Sequence, residues 1–242
     1  MGKNMLHLIG LGLAPRQLTL EALHAIQQCE QVYLESYTSA YSEGSVSTLE
    51  KIIHKKVIPK NRKDLEEEAQ AIINEAKEQG VCILVYGNPL SATTHVSILK
   101  ACQQQKIPYR LIPGISIFNY RGVIGLDEYR FGRTTTIVFP EEGHEALSSF
   151  DMIVKNKKIG LHTHCLLDLH PEKQRFMTIP EAVQFIAYAA GAREEDTHAW
   201  VCVGMAGMGA HHAQVEVGGL SELKKKEWNH FPQSLVICGD LT

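Results

Sequence analysis

Short runs of apolar, mostly branched residues alternate along this chain with segments whose apolar positions recur every three or four residues. Runs of the first kind predict buried strands and segments of the second kind predict helices. Their alternation is that of βα units around a largely parallel sheet. Strands are predicted at residues 5–11, 31–34, 81–86 and 109–112. A helix begins at about Leu20, with Leu20, Leu23, Ile26 and Cys29 forming one apolar face. Asp64 to Glu67 reads as a capping box for a helix whose stripe is Leu65, Ala69, Ile72, Ile73 and Ala76, closed by Gly80. Residues 94–104 predict another helix.

The second half changes character. Strands are predicted at 134–139, 161–169, 199–205, 214–217 and 234–238, with fewer full helices between them, near 150–155 and 179–189. Thr178-Ile-Pro-Glu181 opens the last of these as a capping box with proline in its first turn. This places a domain boundary near 112–116 and gives two α/β domains, 1–113 and 114–242. Neither a low-complexity linker nor an internal repeat separates them.

Composition narrows the function classes. In 242 residues, 24 Lys and Arg stand against 27 Asp and Glu, a formal net charge of -3. That balance argues against gripping a nucleic-acid backbone, which needs a basic surface. No apolar run approaches the roughly 18 residues that span a bilayer. Met1 to Met5 leads straight into the first strand without the apolar core of a signal peptide, so a cytoplasmic protein with no membrane attachment is expected. Cys29, Cys82, Cys102, Cys165, Cys202 and Cys238 occur singly, with no paired spacing. They read as buried reduced thiols rather than a disulfide framework or a zinc ribbon.

Candidate chemistry sits in three turns, each directly after a strand. Gly10-Leu-Gly-Leu-Ala-Pro15 holds two of the three glycines of a dinucleotide fingerprint, with Glu35 where a ribose-binding acid would stand; an ordinary turn competes with that reading. Gly87-Asn-Pro-Leu-Ser-Ala-Thr-Thr-His95 puts several hydroxyls at the carboxyl end of a buried strand, where open α/β sheets bind ligands; helix capping by Ser91 or Thr94 is the alternative. Pro113-Gly-Ile-Ser-Ile117 lies at the domain junction, a common ligand wall. His162 and His164 share one face of a strand but make at most half of a zinc site, and His170, His211 and His212 are too scattered to complete it, so no metal is expected. Lys224 to Lys226 reads as a solvated helix end, with a docking contact as the alternative.

Taken together, Ile9-Gly-Leu-Gly-Leu13, Tyr33-Leu-Glu-Ser-Tyr-Thr-Ser39, the 87–95 turn, Ser116-Ile117, Tyr129-Arg-Phe-Gly132, Gly160-Leu-His-Thr163 with Leu167-Asp168, and Arg175-Phe-Met-Thr178 resemble the diphthine synthase family. The resemblance runs in order along nearly the whole chain. It implies the two-domain tetrapyrrole methylase-like (class III methyltransferase) fold, with a cofactor cleft between the domains. The activity it implies is methylation by S-adenosylmethionine, releasing S-adenosylhomocysteine. The resemblance further implies that the acceptor is the amino group of a 3-amino-3-carboxypropyl side chain on one histidine of elongation factor 2, and that the enzyme is a homodimer. Archaeal members stop at the trimethylated amine, diphthine, whereas eukaryotic members also esterify the carboxylate. This chain lacks the insertion of eukaryotic members after Asp168, which favours the trimethylating type.

Carried over residue by residue, the cofactor positions are Leu13, Asn88, Ser91, Ser116, Ile117, Leu167, Ala206 and Gln233. Two depart from the family, which usually has Asp at Asn88 and His at Gln233, and the family chain runs on past Thr242. No general base is nominated. Tyr37 and Tyr120 are candidates for facing the cationic product. A same-fold methyltransferase of a small molecule such as a tetrapyrrole, a remnant that binds cofactor or elongation factor 2 without turnover, and a nicotinamide-dependent oxidoreductase are the competing readings.

Overall fold

The computed structural model describes residues 4–140 and 147–241; the start at Met1 and the end at Thr242, weighed above, lie outside them. The chain forms two compact units that change over after Ile117, with Pro171–Lys173 grouped with the first.

The first unit carries β1 (Met5–Gly10), α1 (Leu20–Gln28), β2 (Gln31–Glu35), α2 (Val46–Ile53), β3 (Ile58–Lys60), α3 (Ala69–Glu75), β4 (Gly80–Val85), α4 (Val96–Gln104) and β5 (Tyr109–Ile112). Its strands form one fully parallel sheet in the order β3-β2-β4-β1-β5. Both faces are covered, which is why the central strands read as unbroken apolar runs. Leu6, Leu8, Val81 and Ile83 pack with Ile72, Ile73 and Ile98 on one face. Ile9, Cys82 and Leu84 pack with Ala25, Ile26, Leu49 and Ile53 on the other.

Local chemistry moves two of the expected boundaries. Asp64 caps nothing downstream. It exchanges hydrogen bonds with Asn61, its Oδ2 accepting from the Asn61 amide at 2.8 Å and its own amide donating to Asn61 Oδ1 at 3.0 Å. A π-helical turn follows over Lys63–Glu67, and the expected long helix is reduced to α3. Gly80 opens β4 instead of closing a helix, its amide held by Glu30 Oε2 at 2.7 Å. In α1 the inward stripe is Ala22, Ala25 and Ile26, with Cys29 buried just past its end, while Leu20 at the first turn is 75 % exposed.

The second unit carries α5 (Tyr120–Val123), β6 (Thr135–Ile137), α6 (Ser148–Lys158), β7 (Thr163–Leu167), β8 (Leu169–His170), β9 (Arg175–Phe176), α7 (Ile179–Arg193), β10 (Cys202–Ala206), β11 (Gln214–Gly218), α8 (Leu220–Lys225) and β12 (Gln233–Ile237). Its main sheet runs β11-β10-β12-β7-β6, with only β6 and β7 parallel. One face packs Cys165, Cys202, Leu235 and Ile237 against Phe150, Ile153, Val183 and Ile186 of α6 and α7. The capping box at Thr178 and Glu181 forms as its sequence predicts. The expected strand over 161–169 is broken at Asp168, whose carboxylate accepts from the amides of Phe139 and Leu169 and turns the chain into the small β8–β9 pair. Lys224 and Lys225 end α8 exposed, and the next residue, Lys226, is exposed as well and donates to Glu216 Oε2 at 2.9 Å.

Among the described residues all six cysteines are buried and unpaired, no group of three or more His, Cys, Asp or Glu is placed to hold a metal, and no helix is long and apolar enough to cross a membrane.

Candidate active site

In the first unit the site is built at the carboxyl edge of the parallel sheet, where β4, β1 and β5 lie side by side. The turns that follow them meet through main chain. Gly12 and Gly87 exchange hydrogen bonds at 2.9 and 3.2 Å. A Cβ on Gly10 would stand 2.7 Å from the Gly87 carbonyl oxygen, and one on Gly114 would stand 2.7 Å from the Gly10 carbonyl carbon. Only hydrogen fits at either position. Gly87 differs: it has φ +71°, and a Cβ there would enter space bounded by Leu13 Cδ2, Ser116 Cα and the Ile115 carbonyl at 3.8–3.9 Å. Leu13 and Ser116, two positions drawn from the resemblance, thus border one small cradle above Gly87. Leu13 is pinned by its amide, which donates to Gln17 Oε1 at 2.7 Å.

The 87–95 turn extends from that cradle. Asn88 Oδ1 accepts weakly from the Leu90 amide at 3.4 Å, and the Asn88 carbonyl accepts from the Ser91 amide at 3.1 Å. The hydroxyls do not cap α4, whose N-cap is His95 with no side-chain cap bond. Thr93 donates instead to the Pro89 carbonyl, and Thr94 donates to Glu66 Oε1 at 2.9 Å. Tyr37 also donates its hydroxyl to Glu66 Oε1, at 3.3 Å, and meets the His95 ring edge-on at 6.4 Å. Glu66 therefore ties the 33–39 segment to the 87–95 turn. Sequence reading missed it, because Glu66 sits in a charged run that reads as a solvated face and nothing in its spacing points to residues 37 or 94.

Glu35 does not serve as a ribose ligand. It is fully buried, with Oε1 accepting from the amides of Tyr37 and Thr38 at 2.6 and 2.7 Å and Oε2 accepting from the Thr38 hydroxyl. No helix opens at Gly12 either: a single 3₁₀ turn at Pro15–Gln17 follows and α1 starts at Leu20. The two structural requirements of a dinucleotide fingerprint are thus missing.

In the second unit, Leu167, Ala206 and Gln233 come together at one end of the sheet: Ala206 pairs with Gln233 across β10–β12, and Leu167 ends β7 beside them. The Gln233 amide is engaged within the unit, Oε1 accepting from the first amide of α7, Ile179, at 2.8 Å and Nε2 donating to the His230 carbonyl at 3.0 Å. Its side chain thereby caps the start of α7. Tyr120 opens α5 in this unit, apart in the chain from the Tyr37 cluster.

His162 and His164 are buried among aromatic rings rather than poised as ligands. His162 Nδ1 accepts from the Gly239 amide at 2.9 Å, and His164 Nδ1 accepts from Arg121 Nε at 3.3 Å. Arg121 lies between the rings of Phe118 and Phe131, at 4.6 and 4.3 Å. Burial first, and the Arg121 charge second, push His164 down to about 3. The unfolded chain, with a histidine near its ordinary 6.5, binds that proton sooner, so stability is full above pH 6.5 and falls as pH drops toward 3. Between pH 7 and pH 5 the loss assignable to His164 is about 2 kcal/mol. Urea unfolding at the two pH values should show it, and His164→Gln, which keeps an acceptor but does not titrate, should reduce the difference by that amount.

A sheet edge closed by packed glycine turns, followed by a second α/β unit, defines a class that comparison makes specific. Residues 5–224 match the family Tetrapyrrole (Corrin/Porphyrin) Methylases. The chain is 34% identical over 257 residues to the diphthine methyl ester synthase of Bos taurus, covering 97% of this chain and 90% of that one. It is 32% identical over 241 residues to the diphthine synthase of Methanococcus vannielii, covering 98% and 94%. A crystal structure of diphthine synthase superposes with a TM-score of 0.89 at 31% identity, covering 97% of this chain and 90% of that one. The chain belongs to the diphthine synthase family of the tetrapyrrole methylases, and it is a methyltransferase.

Proposed function

We propose that this methyltransferase uses S-adenosylmethionine to methylate the amino group of the 3-amino-3-carboxypropyl side chain on a histidine of elongation factor 2, ending at diphthine. The observation that carries this reading is the end-to-end likeness to diphthine synthases, which covers 98% of this chain in the Methanococcus vannielii comparison. The alignment with the bovine methyl ester synthase, at 257 residues, is longer than the chain itself, whereas that with the methanogen diphthine synthase, at 241, is not. The bovine protein thus carries residues that this chain lacks, which favours the trimethylated end point.

The first unit fits the cofactor. Leu13, Asn88, Ser91, Ser116 and Ile117 would hold it around the cradle over Gly87, which is bounded mainly by apolar and main-chain atoms. Bound there, the cofactor supplies a methyl group on a sulfonium. The protein's own contribution is to hold the acceptor nitrogen in line with that carbon and to keep water out. The acceptor amine stands beside its own carboxylate, which favours the ammonium, so at pH 7 it must release a proton before it can attack the methyl carbon. Asn88 offers an acceptor oxygen without a charge. Asn88→Asp should therefore tighten S-adenosylmethionine binding by about fivefold, the size of one partly exposed charge pair. Calorimetry finding equal or weaker affinity would refute this.

Intact-protein mass spectrometry of elongation factor 2 bearing the unmethylated side chain, incubated with this protein and S-adenosylmethionine, tests the reading as a whole. Three methyl increments, none labile to hydroxylamine, are expected. A fourth, labile increment would reassign the end point to the ester. No increment alongside measurable cofactor binding would leave a binding protein rather than an enzyme.

A further inference from the structure

The cluster around Glu66 already holds a cation. The Arg62 guanidinium lies over the Tyr37 ring at 4.9 Å, and its Nη1 reaches both Glu66 oxygens at 3.4 Å. Everything beneath it is fixed: the Tyr37 ring is buried, its hydroxyl is bonded to Glu66, and its amide is held by Glu35. The cation itself is loosely held. The Arg62 side chain is 64% exposed and its ion pair is long, an arrangement worth no more than about 1 kcal/mol. A fixed aromatic face beside a fixed carboxylate, closed by a weakly held guanidinium, is a seat that another cation of similar size can enter at small cost. The seat lies at the carboxyl ends of β2 and β3 and is joined through Thr94 to the same turn that carries Asn88 and Ser91.

We propose that the Tyr37 ring and the Glu66 carboxylate form the seat for the cationic amine of the acceptor side chain, which Arg62 occupies in the free protein and yields on binding. This rests on the amine-methylation reading above. It also divides the labour between the two groups. On binding, the unmethylated ammonium offers three N–H donors to Glu66; it releases one proton to solvent before each methyl transfer frees the sulfur of the donor, and each methyl replaces one N–H, until the trimethylated product is held by the ring face alone.

Two measurements test it. Tetramethylammonium chloride, titrated into the protein alone and followed by NMR of the Tyr37 and His95 rings, probes the seat without elongation factor 2. Arg62→Ala should tighten its binding a few-fold, and Tyr37→Leu should weaken it about tenfold. Tyr37→Phe, which keeps the ring, should stay close to wild type. Equal binding in wild type, Arg62→Ala and Tyr37→Leu overturns the seat. In the enzyme assay, Glu66→Gln should raise KM most for the unmethylated acceptor and Tyr37→Leu most for the dimethylated one, with any change in KM for S-adenosylmethionine the same at every methylation step. Uniform effects across the methylation steps would reduce Glu66 to a structural tie and overturn the proposal. If wild-type protein leaves elongation factor 2 unmodified, the amine-methylation reading fails there, and the tetramethylammonium titration still decides the seat.

Discussion

Gly114→Ala is expected to cost more than about 3 kcal/mol of stability and, in whatever protein still folds, about a hundredfold in kcat/KM. The added methyl would stand 2.7 Å from the Gly10 carbonyl carbon and closer still to the Gly87 carbonyl oxygen. Both are main-chain atoms on adjacent strand ends, so no rotamer change relieves the overlap, and overpacking against side chains alone already costs about 1–3 kcal/mol. The strand ends must separate. Because Gly87 and Gly12 are hydrogen-bonded to each other, separation moves the cradle over Gly87 together with the 87–95 turn. A misplacement of about 1 Å in a reacting geometry costs on the order of a hundredfold. Gly122→Ala is the control, since a Cβ there meets nothing within 4 Å. Equal thermal midpoints and rates for the two variants would show that the three strand ends do not meet as described.

Glu35→Ala should rank next, destabilising by about 3–5 kcal/mol and dissolving the order of the 36–38 segment. The carboxylate is fully buried and satisfies three donors, the amides of Tyr37 and Thr38 and the Thr38 hydroxyl. Leaving a buried donor without a partner costs about 1–3 kcal/mol each, part of which water recovers by entering the gap. Chemical denaturation would give the stability change. Amide hydrogen exchange at Tyr37 and Thr38 would show whether the loss is local. Unchanged protection of those two amides would mean that another group holds them.

These two residues also show what the sequence does and does not disclose. The strands of the first unit were legible because both sheet faces are covered, and two-sided burial leaves an uninterrupted apolar run in 81–85. The three turns after β1, β4 and β5 were legible as glycine turns after strands. That Gly10, Gly87 and Gly114 touch was not, because their contact depends on β1 lying between β4 and β5, and strand order leaves no local trace. Glu35 was visible as an acid after the second strand. Its partners lie two and three residues onward, yet the same spacing suits a ribose ligand, and only the burial of both oxygens separates the two. The acidic run after Asn61 misled in register: Asn61 takes the capping role that Asp64 offers equally well on paper. Asp168 likewise broke a run that its apolar neighbours extend, since a single carboxylate accepting two amides outweighs the β preference around it. Leu167, Ala206 and Gln233 reached their common sheet edge from distant parts of the chain, and for these the family resemblance did what periodicity could not.

The six thiols have a bearing on chemical selectivity. A thiolate is a stronger nucleophile than an amine, so an exposed cysteine in an enzyme that handles an activated methyl donor would compete with the intended acceptor and end as a dead S-methyl adduct. Here every cysteine is buried. Burial pushes the Cys202 thiol up to about 12 and carries Cys82, Cys102, Cys165 and Cys238 upward as well. Cys29 alone moves down, through its neighbour Cys82, and it is 1% exposed. Buried in the packing that stabilises both units, none of the six presents an exposed thiol to a methyl donor.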